Sequence, residues 1–198
     1  MLIEDSPPGE GRDTAYAADR DSDGYVWNVT RLWGWRADIY RDFANLRTSL
    51  MGSSSLTGRD WAVMVTAMAS QLGDSYCSLA WGQKLASLSD AETAARLLAN
   101  EPAPALSERE QALAAWTRQL VDDPNATTTD DVTRLRAVGL GDREIFEATT
   151  FVAFRLAFST VNDALGAEPD RQLMDAAPAP IREAVQYGRP PALEASHA

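Results

Sequence analysis

Leu72-Gly73-Asp74-Ser75-Tyr76-Cys77-Ser78-Leu79-Ala80-Trp81 reads as the end of one helix and the start of the next. Gly73 suits the left-handed backbone that closes a helix, and Asp74 carries a carboxylate able to accept the orphan amides that open another. In that second helix Asp74, Cys77, Ser78 and Trp81 follow the spacing i, i+3, i+4, i+7 and share one face. Cys77 is the single cysteine of the chain, and the only histidine is His197. A thiol in an opening helical turn gains thiolate character from the free amides and the helix dipole. Asp74 opposes that ionisation by its charge, and the indole of Trp81, one turn along, favours the neutral thiol. Cys77 therefore has two readings, an activated nucleophile or a small buried hydrophobe of the kind free cysteine often is. Asp74 reads as a helix cap and a possible polar partner of the thiol.

Working outward, the periodicity is helical throughout. Ile39, Phe43, Leu46 and Leu50 lie on one face of a helix that follows Arg36-Ala37 and stops near Gly52. Thr57 caps a helix through Trp61, Val65, Met68 and Leu72. Ser89 opens a helix from Ala91 to Asn100. Ser107-Glu108-Arg109-Glu110 is a capping box starting a helix to Leu120. Thr129 starts another that ends at Gly139, and Asp142 begins a long helix through Asn162 to Gly166. That long helix is apolar on most sides between Phe151 and Phe158, so it is expected to run through the centre with neighbours all round. Leu56-Thr57-Gly58-Arg59-Asp60 and Leu106-Ser107-Glu108-Arg109-Glu110 form a faint internal repeat, each opening a helix that reaches a Gln-Leu pair.

With 198 residues, one well-buried domain is expected. The chain is read as all-α, a single-domain bundle of about seven or eight helices spanning residues 25–175. Residues 1–24, rich in Pro, Gly and acidic side chains, are expected to be a flexible arm. Residues 176–198 are expected to be a Pro-rich tail, with a short docked helix within Ile181 to Tyr187. A net charge of −11 repels phosphate and disfavours nucleic acid as a partner. No stretch approaches the roughly 20 apolar residues of a membrane helix. A lone cysteine forms no internal disulfide, which fits a reducing cytoplasmic setting. No cofactor is expected, and no metal, since structural zinc sites draw on several Cys or His ligands.

Taken in order, several segments resemble the alkyl hydroperoxidase D and carboxymuconolactone decarboxylase superfamily, in particular its peroxidase-related branch. They are the Leu-Thr-x-Arg-Asp opening at Leu56, the Tyr76-Cys77 pair and the second opening at Leu106. Next comes Val132-x-x-Leu135-Arg136-x-x-Gly139-Leu140-x-Asp142-x-Glu144-Ile145, then Asn162-x-Ala164-Leu165-Gly166-x-x-Pro169-Asp170. The likeness covers Trp27 to Asp170. It implies a helical fold, a homo-oligomer and a thiol peroxidase site of the form Cys-x-x-Cys-x-x-x-His with a glutamate on the preceding helix. On this chain the second cysteine of that motif falls on Cys77. The first falls on Asp74, the histidine on Trp81 and the glutamate on Ala62, so three of the four positions have lost their chemistry.

Two functions follow as expectations. In the first, Cys77 acts as a single-cysteine thiol oxidoreductase on hydroperoxides, recycled by an external thiol because no resolving partner exists. In the second, the protein binds or converts a small apolar molecule in an aromatic pocket, or is a non-catalytic oligomer. Five of the six tryptophans fall within the first 81 residues; Trp81, Tyr76, Trp61 and Ala62 are the expected lining of a substrate site. Glu144 and Glu147 could lend a carboxylate to such a pocket, or could simply favour a helix N-terminus.

Overall fold

A computed structural model describes residues 1–193 of the chain, and His197 lies outside them. Among these residues the fold is entirely helical. In chain order the helices are α1 (Glu10–Asp23), α2 (Asn28–Trp33), α3 (Ala37–Ser53), α4 (Gly58–Leu72), α5 (Ser75–Leu88) and α6 (Ala91–Leu98). They continue with α7 (Glu108–Asp122), α8 (Thr129–Ala137), α9 (Asp142–Leu165), α10 (Arg171–Ala176) and α11 (Ala179–Ala184). Seven helices of eight or more residues, α3 to α9, lie within the expected bundle; α1, in the segment expected to be an arm, and the six-residue α2, α10 and α11 raise the count above it.

The local starts follow side-chain chemistry. Thr57 accepts from the Asp60 amide while Asp60 accepts from the Thr57 amide, and Ser107 and Glu110 do the same at α7. At α8 the cap is Thr128, one residue before the Thr129 expected, paired with Asp131. Asp90, rather than Ser89, caps α6 through the Thr93 amide. Gly73 takes φ +81° between α4 and α5, a backbone that a side chain would strain.

The internal repeat has a spatial meaning. α4 and α7 pack side by side, and each capping acid is gripped by the arginine of the other repeat: Arg59 Nε lies 2.6 Å from Glu110 and Arg109 Nε 3.6 Å from Asp60. Both carboxylates are buried, so their charges are compensated across a local pseudo-twofold.

α4, not α9, is the central helix. Every residue from Asp60 to Ala69 is buried, and α5, α6, α7 and α9 all pack on it. Its small and unbranched side chains, Ala62, Ala67, Ala69, Met64 and Met68, let neighbours approach closely on all sides. α9 departs from the expectation of burial all round. It buries Ile145, Ala148, Phe151, Val152, Ser159 and Asn162 but leaves Ala153, Phe154 and Ala157 exposed, with Phe146 69 % accessible. Mean apolarity is spread around α9, and within one chain only one side finds partners.

The termini are more ordered than composition predicts. Residues 10–23 form a helix where a flexible arm was expected, because Tyr16 buries its ring under the guanidinium of Arg12, 5.0 Å away, and Asp19 accepts the Trp27 amide. Near the other end, α11 seats Ile181 in the core, and Ser75 Oγ donates to the Arg189 carbonyl at 2.7 Å. Gly188, at φ +73°, lets that segment cross the start of α5, where a Cβ would come 2.5 Å from the Gly73 carbonyl oxygen. No helix among the described residues is long and apolar enough to cross a membrane.

Candidate functional site

Cys77 sits in the opening turn of α5, with its amide donating to the capping Asp74 carboxylate at 2.9 Å. Its side chain points into the layer between α4 and α9 and is 3 % accessible. Two donors from α9 converge on the sulfur. A guanidinium nitrogen of Arg155 lies 3.1 Å from Sγ and the hydroxyl of Ser159 lies 3.4 Å away. The guanidinium also stacks over two rings, 5.4 Å from the centroid of Trp81 and 4.9 Å from that of Phe158. Trp81, from one turn beyond Cys77, thus holds the cation that reaches the sulfur.

The electrostatics of the thiol are a contest. Burial pushes its pKa up, and the Asp74 carboxylate pushes it further; Arg155 and the Ser159 hydroxyl pull it down. Burial and Asp74 prevail, holding the thiol above its ordinary value. Asp74 is itself wholly buried, and its second carboxylate oxygen has no hydrogen-bond partner. Next to it on α9, Asp163 is raised to about 7, first by burial and then by the charge of Asp74.

Beside Arg155 a cavity of about 160 Å³ opens between α3 and α9. Phe43, Leu46, Phe151, Phe154 and Phe158 supply its apolar wall, and Arg47 and Arg155 supply the polar groups. Cys77 does not line it; Arg155 stands between the cavity and the sulfur.

No family model matches the chain, and no curated protein matches it in sequence. Solved structures do match it in shape. A peroxidase-related protein from a Silicibacter species superposes with a TM-score of 0.77 at 20 % identity, covering 87 % of this chain and 91 % of the other. The alkylhydroperoxidase AhpD core of a peroxidase-related protein from Ralstonia eutropha gives a TM-score of 0.75 at 20 % identity, with 85 % and 93 % covered. This chain has the alkyl hydroperoxidase D-like fold. A debrominase in its apo form shares the fold more distantly, with a TM-score of 0.69 at 11 % identity over 88 % of this chain and 91 % of its own.

In this alkyl hydroperoxidase D-like chain the residues singled out from sequence separate into two groups. Asp74, Cys77 and Trp81 converge, through the α5 cap and through Arg155. Tyr76 faces the opposite way, where its hydroxyl donates to the buried Asp170 carboxylate, which also accepts the Asn28 amide at 2.9 Å. Ala62 belongs to that other side of the core as well. Trp61 lies in the Cys77 cluster but is spent on packing, its ring 4.5 Å from that of Phe151. The cavity wall is built from phenylalanine, leucine and tyrosine, and Trp61 and Trp81 are not part of it. Glu144 accepts from its own helix start and from Ser55, and Glu147 pairs with Arg143; neither lines the cavity.

Arg155 and Ser159 are the functional residues that the sequence reading misses. The available signal is their i, i+4 spacing, with Arg155 inside the run from Phe151 to Phe158 and Ser159 directly after it. Two polar side chains on one stripe of so apolar a helix need a buried partner.

Proposed function

We propose that the protein is a single-cysteine thiol oxidoreductase acting on organic hydroperoxides. The observation that carries this reading is the pair of donors, Arg155 and Ser159, aimed at a lone sulfur in a helix-opening turn. A guanidinium beside sulfur favours the thiolate and the charge that develops on the oxygens as the O–O bond breaks. The Cys77 sulfur attacks the terminal peroxide oxygen, an S–O bond forms, and the O–O bond breaks. The thiol proton ends on the departing alkoxide as alcohol, and Cys77 is left as sulfenic acid. Two equivalents of an external thiol then return Cys77 to the thiol, releasing water and a disulfide.

Treating the protein with cumene hydroperoxide in the presence of dimedone is expected to place one dimedone adduct on the Cys77 peptide, and none on Cys77→Ser. Unconsumed peroxide and an unmodified Cys77 peptide would remove the reading. The same proposal includes self-association, supported by the exposed apolar face of α9 at Phe146, Ala153, Phe154 and Ala157. A sedimentation mass equal to one chain at every concentration would exclude it.

A further inference from the structure

We propose that the cavity between α3 and α9 binds a small organic monocarboxylate with a single-ring apolar body, its head group held between Arg47 and Arg155. The inference shares Arg155 with the proposed thiol chemistry but requires no reactivity of Cys77.

The argument starts from charge. In a chain of net charge −11, arginines generally find carboxylates: Arg59 on Glu110, Arg109 on Asp60, Arg143 on Glu147, Arg171 on Asp175. Arg47 and Arg155 face each other across the cavity with no carboxylate in ion-pair reach of either among the described residues. Each guanidinium is an uncompensated positive charge, and burial together with the charge of Arg155 makes the cationic form of Arg47 less favourable. Two like charges at one apolar opening repel each other, and a bound anion relieves that repulsion.

The second observation is the shape of the donor. One nitrogen of the Arg155 guanidinium serves the sulfur, and the same group lines the cavity. The planar fork of arginine is matched to the two oxygens of a carboxylate.

Size and lining set the rest of the ligand. About 160 Å³ is close to the ~150 Å³ that holds benzene in an engineered apolar cavity, so one ring fits. Phe43, Phe154 and Phe158 offer ring edges and faces, and their mutual contacts at 6.4 Å and 6.0 Å form a preassembled wall. An uncharged ring would satisfy the wall and leave both arginines uncompensated; acetate would satisfy the arginines and leave the wall bare.

The test is titration of the full chain with benzoate, with benzyl alcohol and acetate as partial mimics, followed by calorimetry. Benzoate is expected to bind at one saturable site, about tenfold or more tighter than either mimic. Arg47→Gln, on an exposed helix position, is expected to weaken benzoate by about tenfold or more without changing the fold. Cys77→Ser should bind as the parent does, which separates this inference from the thiol chemistry. Absence of saturable benzoate binding, equal binding of benzyl alcohol, or binding lost only as the chain self-associates would each overturn the assignment; the last would give this face to a second copy.

Discussion

Arg155→Met is expected to slow oxidation of Cys77 by cumene hydroperoxide by about tenfold to a thousandfold at neutral pH. An opposite charge within a few ångströms favours an ionised group by roughly one to three pKa units, and Arg155 lies 3.1 Å from a sulfur with almost no water around it. Removing the cation leaves only the Ser159 hydroxyl against burial and Asp74, so the thiol pKa rises further and less thiolate is present at any given pH. Methionine replaces the aliphatic stem but not the guanidinium that stacks on Trp81 and Phe158, so some stability goes with the cation, and rates are compared well below the unfolding transition. Asp74→Asn supplies the opposite sign. Asparagine still caps the helix but carries no charge, so the thiol pKa falls and oxidation accelerates. Stopped-flow rates measured against pH check both, and unchanged rates in both variants would show that the donors at sulfur serve packing alone.

Trp61→Ala is expected to destabilise the fold by about 3–5 kcal/mol, the range for deleting a large buried aromatic. Trp61 is 1 % accessible and packs on Phe151 at the contact between α4 and α9, so its loss leaves a void at the junction of the central helix with the helix that carries Arg155 and Ser159. For a chain of this length the loss corresponds to a fall in Tm of roughly 6–20 °C. Trp35, half exposed on the surface, should tolerate alanine with a much smaller change. Denaturant unfolding of the two variants measures the contrast, and equal midpoints would contradict the packing described for Trp61.

The features legible in the sequence are those decided within a few residues. Thr57, Ser107 and Asp74 announce helix starts because the bonds they make run three residues along the chain. Cys77 could be placed on an opening turn for the same reason, and the order of the short segments carried the fold. The partners of the sulfur are 78 and 82 residues away, and only the assembled bundle brings them near. The choice of central helix failed on a related point. The phenylalanines of α9 signal apolarity, whereas close approach on every side depends on the small residues of α4, which a hydropathy pattern ranks lower. The N-terminal helix was missed because Tyr16, Arg12 and Asp19 act through single contacts in a segment whose average composition reads as unstructured.

α3 contains no fully buried residue, whereas α4 behind the sulfur has ten in succession. The two walls around the α9 arginine therefore differ in what it costs to move them. Peeling back the outer wall wets only half-covered rings, while shifting the inner one would dismantle both halves of the core. Of the two flanks beside residue 77, the one covered by the amphipathic helix is thus the one that opens at the lower cost.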